Sequence, residues 1–489
     1  MTTVLRDPVV LAALGAGLLL RLVQLAAAPL WLDEVATTEW IGLPWPVFLE
    51  RLTWDNHPPL YFVALKLVQD LFGSGTWTLR LPSALAGALV VPFGAAAAAT
   101  LSGRAAGRWA AWLLALSPVL VHHSQEARMY ALVGTLAAAN LFALARWTTG
   151  RRDRLGGLFA ATAAALVATH YYAMFYVAGA GLVAVLARPR EIRGWLPAVG
   201  VAALATLGAL ALAVGLAAPQ AGGRYELGWF VAPGALWALI AGYTFLPDTF
   251  ALHADGGRAA MRHLPVALAA APVVLAVLWF ALRATSRTSR LTLLVPLLPA
   301  LVVPLLAPLF LRVPVNPRYF IAIVPAIFVF FAAGLAWSGA GRTFARAAGL
   351  ALGCLLAVAT ARHLADPGHG REDTAAAAAW LEEHAPGDQP ILVTSREMAY
   401  LARTVWADRE IVDYPDPYLV LDAATAEEVA EAMPWHGDRT IYVFGRTWIV
   451  DPDGALETTL SRRWSSCGHV AVRGMRVHCF ERRREARRP

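Results

Sequence analysis

The run PVVLAALGAGLLLRLVQLAAAPLWLDE, residues 8–34, decides how the rest of the chain is read. Its apolar part is long enough to cross a bilayer, which takes about 20 residues of helix. It ends on two adjacent carboxylates, Asp33 and Glu34. Adjacent acids beside a hydrocarbon span are costly to place and hard to explain as packing. The run reads as a retained span and not as a cleaved leader.

Composition agrees. Of 489 residues, 58% are hydrophobic and 15% charged, and the mean hydropathy is +0.53. A soluble chain of this size does not spread so much apolar sequence over so long a stretch. The net charge of +7 does not point to nucleic acid, because the arginines are neither on one face nor in one tail. They recur in short loops: Arg104 and Arg108; Arg146, Arg151, Arg152 and Arg154; Arg188, Arg190 and Arg193; Arg283, Arg287 and Arg290; Arg342 and Arg346. Basic groups between apolar runs mark cytoplasmic loops.

These groups set the expected topology. The stretch 58–72 is short for a span and carries Lys66, Gln69 and Asp70. Counting it as a span would put Arg104 and Arg108 outside, so it reads as an amphipathic helix on the outer surface. The same argument makes 231–247 a second interfacial helix. Eleven spans follow, at 8–28, 79–100, 108–122, 128–147, 156–170, 172–187, 195–217, 264–283, 291–311, 319–337 and 345–363. The expectation is a multi-pass plasma-membrane protein, α-helical, with its N-terminus cytoplasmic and with external loops at 29–78 and 218–263.

Beyond residue 363 charges become frequent and apolar runs shrink to strand length. Helices are expected at 372–384 and 423–432, and strands at 391–394 and 440–444. Residues 364–489 thus read as a small extracytoplasmic α/β domain after a membrane domain, 1–363. Cys467 and Cys479 flank an expected hairpin around Arg473-Gly474, where a disulfide or two free thiols are both open. Cys354 reads as an inert apolar residue. No metal-binding CxxC spacing, P-loop or GxGxxG after a strand is present.

Chemistry then falls to the external loops. Asp33 and Glu34 could cap a helix beginning near Val35. They could instead share a site with Ser124-Gln125-Glu126-Ala127-Arg128-Met129-Tyr130 and Asn316-Pro317-Arg318-Tyr319, which fall on the same side. Ionisable groups converging from separate spans read as a site. A carboxylate there accepts a proton from an attacking hydroxyl, and an arginine holds a phosphate bidentately.

Trp31-Leu32-Asp33-Glu34, His57-Pro58-Pro59-Leu60-Tyr61, Arg80-Leu81-Pro82-Ser83-Ala84, the 124–130 motif and Arg318-Tyr319 follow one another in that order. In this the chain resembles the GT-C membrane glycosyltransferases. The branch concerned is that of the protein O-mannosyltransferases and the aminoarabinose transferases of lipid A, glycosyltransferase family 39. The resemblance covers about 1–363. It implies a GT-C fold and inverting transfer of a hexosyl or pentosyl group from a polyprenyl-phosphate donor to a hydroxyl of a lipid, glycan or protein acceptor, on the external face. It implies Asp33 as base, with Glu34 positioning it or touching the sugar. Glu126 and Arg128 would lie near the donor phosphate. His57, Tyr130 and Arg318 would orient phosphate or sugar, and Tyr172, with His170 and Tyr171, would line the sugar pocket unless it belongs to an aromatic belt. Arg224, Arg258 and Arg262 are further phosphate candidates; Arg80 is a contact or an anchor for its span.

Two departures stand out. The aminoarabinose transferases carry Lys-Pro-Pro where this chain has His57-Pro58-Pro59, and the β-trefoil insertion of eukaryotic mannosyltransferases is missing. No cofactor is required and a divalent metal is left open, without a ligand set assigned to it, since the leaving phosphate can be neutralised by arginine and Asp33-Glu34 lacks the spaced Asp-x-Asp pattern. Partners would be the lipid-linked donor, the acceptor and membrane lipids, with no nucleic acid. The competing reading is a transporter or flippase with charges along its path.

Overall fold

The computed structural model describes residues 2–53, 57–150, 155–217, 230–311, 315–385, 389–415, 421–435, 437–451 and 453–482. The chain divides into two compact units, and not by one cut after residue 363. Met1–Ala27, Trp40–Pro247 and Gly256–Pro367 form the first; Ala28–Glu39, Asp248–Asp255 and Gly368–Pro489 form the second.

The first unit is helical. Among the described residues, seven helices are long and apolar enough to span a membrane: Thr76–Ser102, Tyr130–Thr148, Ile192–Ala211, Gly257–Ala284, Arg287–Leu306, Pro317–Leu335 and Arg342–Ala365. Each overlaps an expected span. The other four expected spans are also helical, but shorter or broken, and proline or a tertiary partner explains two of them. Over 108–122 the helix Arg104–Ala115 stops, and Pro118–Ser124 begins anew after Ser117, whose ψ is 113°. The residue before a proline is driven out of the α region. Over 8–28 the helix is Pro8–Leu22 only. There the Gln125 amide donates to the freed carbonyls of Leu20 (3.1 Å) and Val23 (2.8 Å), which lets the helix end inside an apolar run. Gly156–Thr169 and Ala173–Ala187 complete the set.

The helix Leu60–Phe72 has the two faces of an interfacial element. Tyr61, Phe62 and Leu65 are buried, whereas Leu67, Leu71 and Phe72 are exposed. Lys66 is buried too; its ammonium donates to the Ile41 carbonyl at 2.9 Å and lies 5.0 Å from the Trp45 ring centroid. Val231–Ala241 is likewise an 11-residue helix, too short to span.

The second unit is a five-stranded sheet, with β1 Ile391–Val393, β2 Ile411–Asp413, β3 Arg439–Gly445, β4 Ser465–Val472 and β5 Met475–Glu481 in the order β2-β1-β3-β5-β4. β1 runs parallel to β2 and β3; β5 is antiparallel to β3 and β4. The period of two in β structure separates its side chains onto two cores. Ile391, Val393, Ile441, Val443 and Val477 face one, and Leu392, Tyr442, Phe444 and Phe480 face the other. Cys467 and Cys479 are bridged across the β4–β5 hairpin, with Cα atoms 5.1 Å apart. Leu32 and Val35 belong to the first of these cores.

Candidate active site

Several of the expected site residues come together in the helical unit, at the ends of helices. His57 precedes Leu60–Phe72. Glu126 and Arg128 occupy the turn between Pro118–Ser124 and Tyr130–Thr148, which Tyr130 opens. His170 and Tyr172 form the corner between Gly156–Thr169 and Ala173–Ala187. Arg318 and Tyr319 lie in the 3-10 helix Pro317–Ile323, whose cap Asn316 accepts from the Arg318 N–H at 3.1 Å.

Arg128 is buried. Its Nη2 lies 3.3 Å from His57 Nε2, and its guanidinium is 5.6 Å from the Phe62 ring centroid. Its carbonyl accepts from Ser83 Oγ at 3.1 Å, and Ser83 in turn accepts from the Tyr61 hydroxyl at 2.9 Å. The Arg318 guanidinium lies over the Tyr130 ring at 5.8 Å. From Tyr130 the aromatic contacts continue to His170 at 5.7 Å, then to Tyr172 at 5.9 Å, and Tyr172 stacks on Tyr319 at 4.5 Å and 8°. His57, Arg128 and Arg318 all act electrostatically on His170. Stacked rings that are each partly exposed suit the apolar side of a sugar, and clustered cations suit an anion.

Glu126 is held by two imidazoles. His122 Nε2 donates to Oε1 at 3.1 Å and His123 Nδ1 to Oε2 at 3.0 Å. His123 Nε2 then accepts from the Tyr243 hydroxyl at 3.0 Å; these tautomers follow from the network. Burial alone would raise the Glu126 carboxyl, but the two imidazoles outweigh it and hold it well below the usual carboxylate range. Among the described residues, His122, His123 and Glu126 form a group close enough to hold a metal ion, with ligand atoms within 4.8 Å of one another. Both ring nitrogens already serve one carboxylate oxygen each, so hydrogen bonds complete the group by themselves. In this arrangement Glu126 braces the turn that carries Arg128.

The same turn is pinned from the first helix by Arg21, which sequence reading passed over. Arg21 is fully buried and donates to the carbonyls of Gly17 (2.8 Å), Ala115 (3.3 Å) and Leu114 (3.3 Å), and from Nε to Ser124 Oγ at 3.2 Å. An arginine inside an apolar run is itself a signal, because it is tolerated only with such partners. His363 and Tyr243 also escaped sequence reading, and Gln125 and Tyr319 were named there only as members of their motifs; His363 Nε2 lies 3.0 Å from Gln125 Oε1. Arg80 is buried and donates to the Leu25 carbonyl at 2.9 Å, the contact of an anchor. Arg258 and Arg262 are exposed on Gly257–Ala284, and Arg224 lies outside the described residues.

Asp33 and Glu34 belong to the second unit, in the first turn of the helix Leu32–Ile41, which begins three residues earlier than Val35. Asp33 is half-buried. Glu34 is fully buried; its Oε2 accepts from the Trp31 N–H at 3.3 Å and lies 3.7 Å from Arg371 Nη1. Of its two expected roles, direct contact with sugar does not suit so enclosed a carboxylate.

Residues 56–217 match the profile of the family described as dolichyl-phosphate-mannose-protein mannosyltransferase. No curated protein matches the chain. Among solved structures, ArnT from Cupriavidus metallidurans bound to undecaprenyl phosphate aligns over 96% of this chain and 97% of its own, with 14% identity and a TM-score of 0.53. Its apo state gives the same figures: 96%, 97%, 14% and 0.53. The Archaeoglobus fulgidus oligosaccharyltransferase tethered to an acceptor peptide with the NVT sequon aligns over 95% of this chain and 73% of its own, with 14% identity and a TM-score of 0.50. Such identities speak to fold, and the profile match adds the sequence family over a third of the chain. The chain thus has the GT-C fold of these membrane proteins, and residues 56–217 carry the sequence profile of the mannosyltransferase family.

Proposed function

We propose that the protein transfers a sugar, with inversion, from a polyprenyl-phosphate donor to an acceptor hydroxyl. The convergence of Arg128, Arg318 and His57 beside the stacked Tyr172–Tyr319 pair carries this reading. It is the surface an anionic phosphate next to a sugar ring requires, and the fold is shared with ArnT bound to undecaprenyl phosphate. The acceptor oxygen attacks the anomeric carbon as the bond to the phosphate oxygen breaks. The lipid phosphate leaves with the charge that Arg128, Arg318 and His57 offset; the resemblance of the Trp31-Leu32-Asp33-Glu34 motif supports Asp33 as the base that takes the hydroxyl proton.

The external face is the proposed side of reaction. Asp7, at the start of Pro8–Leu22, pairs with Arg104 (2.7 Å) and Arg108 (2.9 Å), whereas Arg21, near the other end of that helix, bonds the site turn. A basic cluster at the end opposite to the site supports a cytoplasmic N-terminus. The C-terminal unit is then extracytoplasmic, in keeping with its disulfide.

The test incubates purified wild type, Arg128→Ala and Asp33→Asn with a panel of undecaprenyl-phosphate-linked sugars and follows release of undecaprenyl phosphate. Sugar-dependent release by wild type, lost in both variants, is expected. Lipid movement across vesicles without release would favour a flippase.

A further inference from the structure

We propose that Arg371 is a positioning residue: through Glu34 and the Pro29 carbonyl it sets the helix turn that carries Asp33. The inference rests on Asp33 being the base, as proposed above.

The observations lie within the second unit. Arg371 is buried; its Nη1 donates to the Pro29 carbonyl at 3.1 Å and lies 3.7 Å from Glu34 Oε2. Glu34 also takes the Trp31 N–H, so one carboxylate binds the backbone just before the helix and a cation from residue 371. Leu32 and Val35, on either side of the Asp33-Glu34 pair, are packed into the sheet core with Leu381, Ile391, Met398 and Val443. Segment 29–35 is therefore gripped by a carbonyl, a carboxylate and two apolar side chains, and Asp33 sits between the grips.

Arg371 is itself fixed. Its N–H donates to the Gly368 carbonyl at 3.0 Å, and its carbonyl accepts from Arg473 Nε at 3.1 Å. The Arg473 carbonyl accepts the Asp373 N–H at 2.8 Å, which ties the segment to the β4–β5 turn. The next residue, Glu372, takes Arg446 Nη2 at 2.8 Å and Nε at 2.9 Å. A planar guanidinium serving a carbonyl and a carboxylate at once holds direction as well as charge, which lysine does only in part. A base must lie within hydrogen-bond reach of the proton it takes, so small rotations of this turn are felt in the chemical step and not in donor binding.

The experiment compares full-length wild type, Arg371→Ala, Arg371→Lys and Asp33→Asn, with Arg403→Ala, an exposed arginine paired with Asp413, as control. Amide exchange over 29–36 and affinity for undecaprenyl phosphate are read first. Turnover follows, with the undecaprenyl-phosphate sugar that supports transfer. In Arg371→Ala, exchange over 29–36 should rise tenfold or more, and kcat should fall tenfold or more with donor KM and undecaprenyl phosphate affinity within twofold. Arg371→Lys should recover part of kcat. Unchanged exchange in Arg371→Ala overturns the clamp whatever the activity. Normal kcat in Arg371→Ala beside an inactive Asp33→Asn overturns the positioning role and leaves the base in place. A fully active Asp33→Asn removes the base, and this proposal with it.

Discussion

Arg128 shows how one side chain collects the work of several elements. His57 lies against its Nη2, Phe62 lies under its guanidinium, and Ser83 holds its carbonyl. Charge-assisted hydrogen bonds contribute about 1.5–3 kcal/mol each, and about 1.4 kcal/mol is a factor of ten. Arg128→Ala is therefore expected to weaken binding of undecaprenyl phosphate about 10- to 100-fold, measured by titration of the purified protein with the lipid. Arg128→Lys should recover only part, since lysine lacks the fork. Gly87 makes a second, steric case. A Cβ there would overlap Ser124 Oγ and come within 3.3 Å of Arg21 Nε. Overpacking costs about 1–3 kcal/mol, so Gly87→Ala should lower the thermal midpoint of the solubilised protein. It should also weaken undecaprenyl phosphate binding, because Ser124 opens the turn that carries Arg128. Unchanged binding would show that the Ser124–Arg21 bond is only structural.

The elements explain why the site holds its shape. Asn316 starts the Arg318 helix, the Ser117–Pro118 break re-aims the chain toward His122 and His123, and the Gln125 amide ends the first helix inside an apolar run. In the sheet, the analogous brace is Glu457 on the helix Ala455–Arg463, which takes Arg476 Nε at 2.8 Å and His478 Nε2 at 3.1 Å from β5. Burial would raise this carboxyl, but His478 and Arg476 outweigh it and lower it from its ordinary value. The sign follows from linkage. A lowered folded pKa means stability that is complete above the ordinary glutamate range and lost as pH falls through the lower folded value. Unfolding midpoints followed by exchange in this unit should thus drop on acidification below about pH 4.3, and the drop should be shallower in Glu457→Gln. Equal acid slopes would remove Glu457 from that role.

For the whole molecule, the central question is which side each part occupies. Ala105, beside Arg104, and Glu382, on the helix Thr374–His384, are both exposed. In a Cys354→Ala background, Ala105→Cys should react with a membrane-impermeant maleimide only after the membrane is opened. Glu382→Cys should react in intact cells. The reverse pattern would invert the proposed orientation. Cys467 and Cys479 should resist alkylation until reduced, since they are bridged.

Much of this was legible in one dimension. The apolar runs, the rhythm of arginines, the shortness of 58–72 and the change of composition after residue 363 give the helical class and the α/β tail, because bilayer and sheet each impose a length and a period on side chains. The motifs holding His57, Glu126, Arg128, Tyr130, Tyr172 and Arg318 also name the helix ends that meet. Tertiary structure alone decided three things. Glu126 faces His122 and His123 and braces the turn; Arg21 ties that turn to the first helix; and Leu32 and Val35, on either side of Asp33 and Glu34, pack into the core of a sheet more than 300 residues downstream. Periodicity records which face of an element avoids water, and it carries no record of which distant group will satisfy a buried charge. That choice is made only when the partners are brought within hydrogen-bond distance, where an unpaired charge would cost more than the fold can spare.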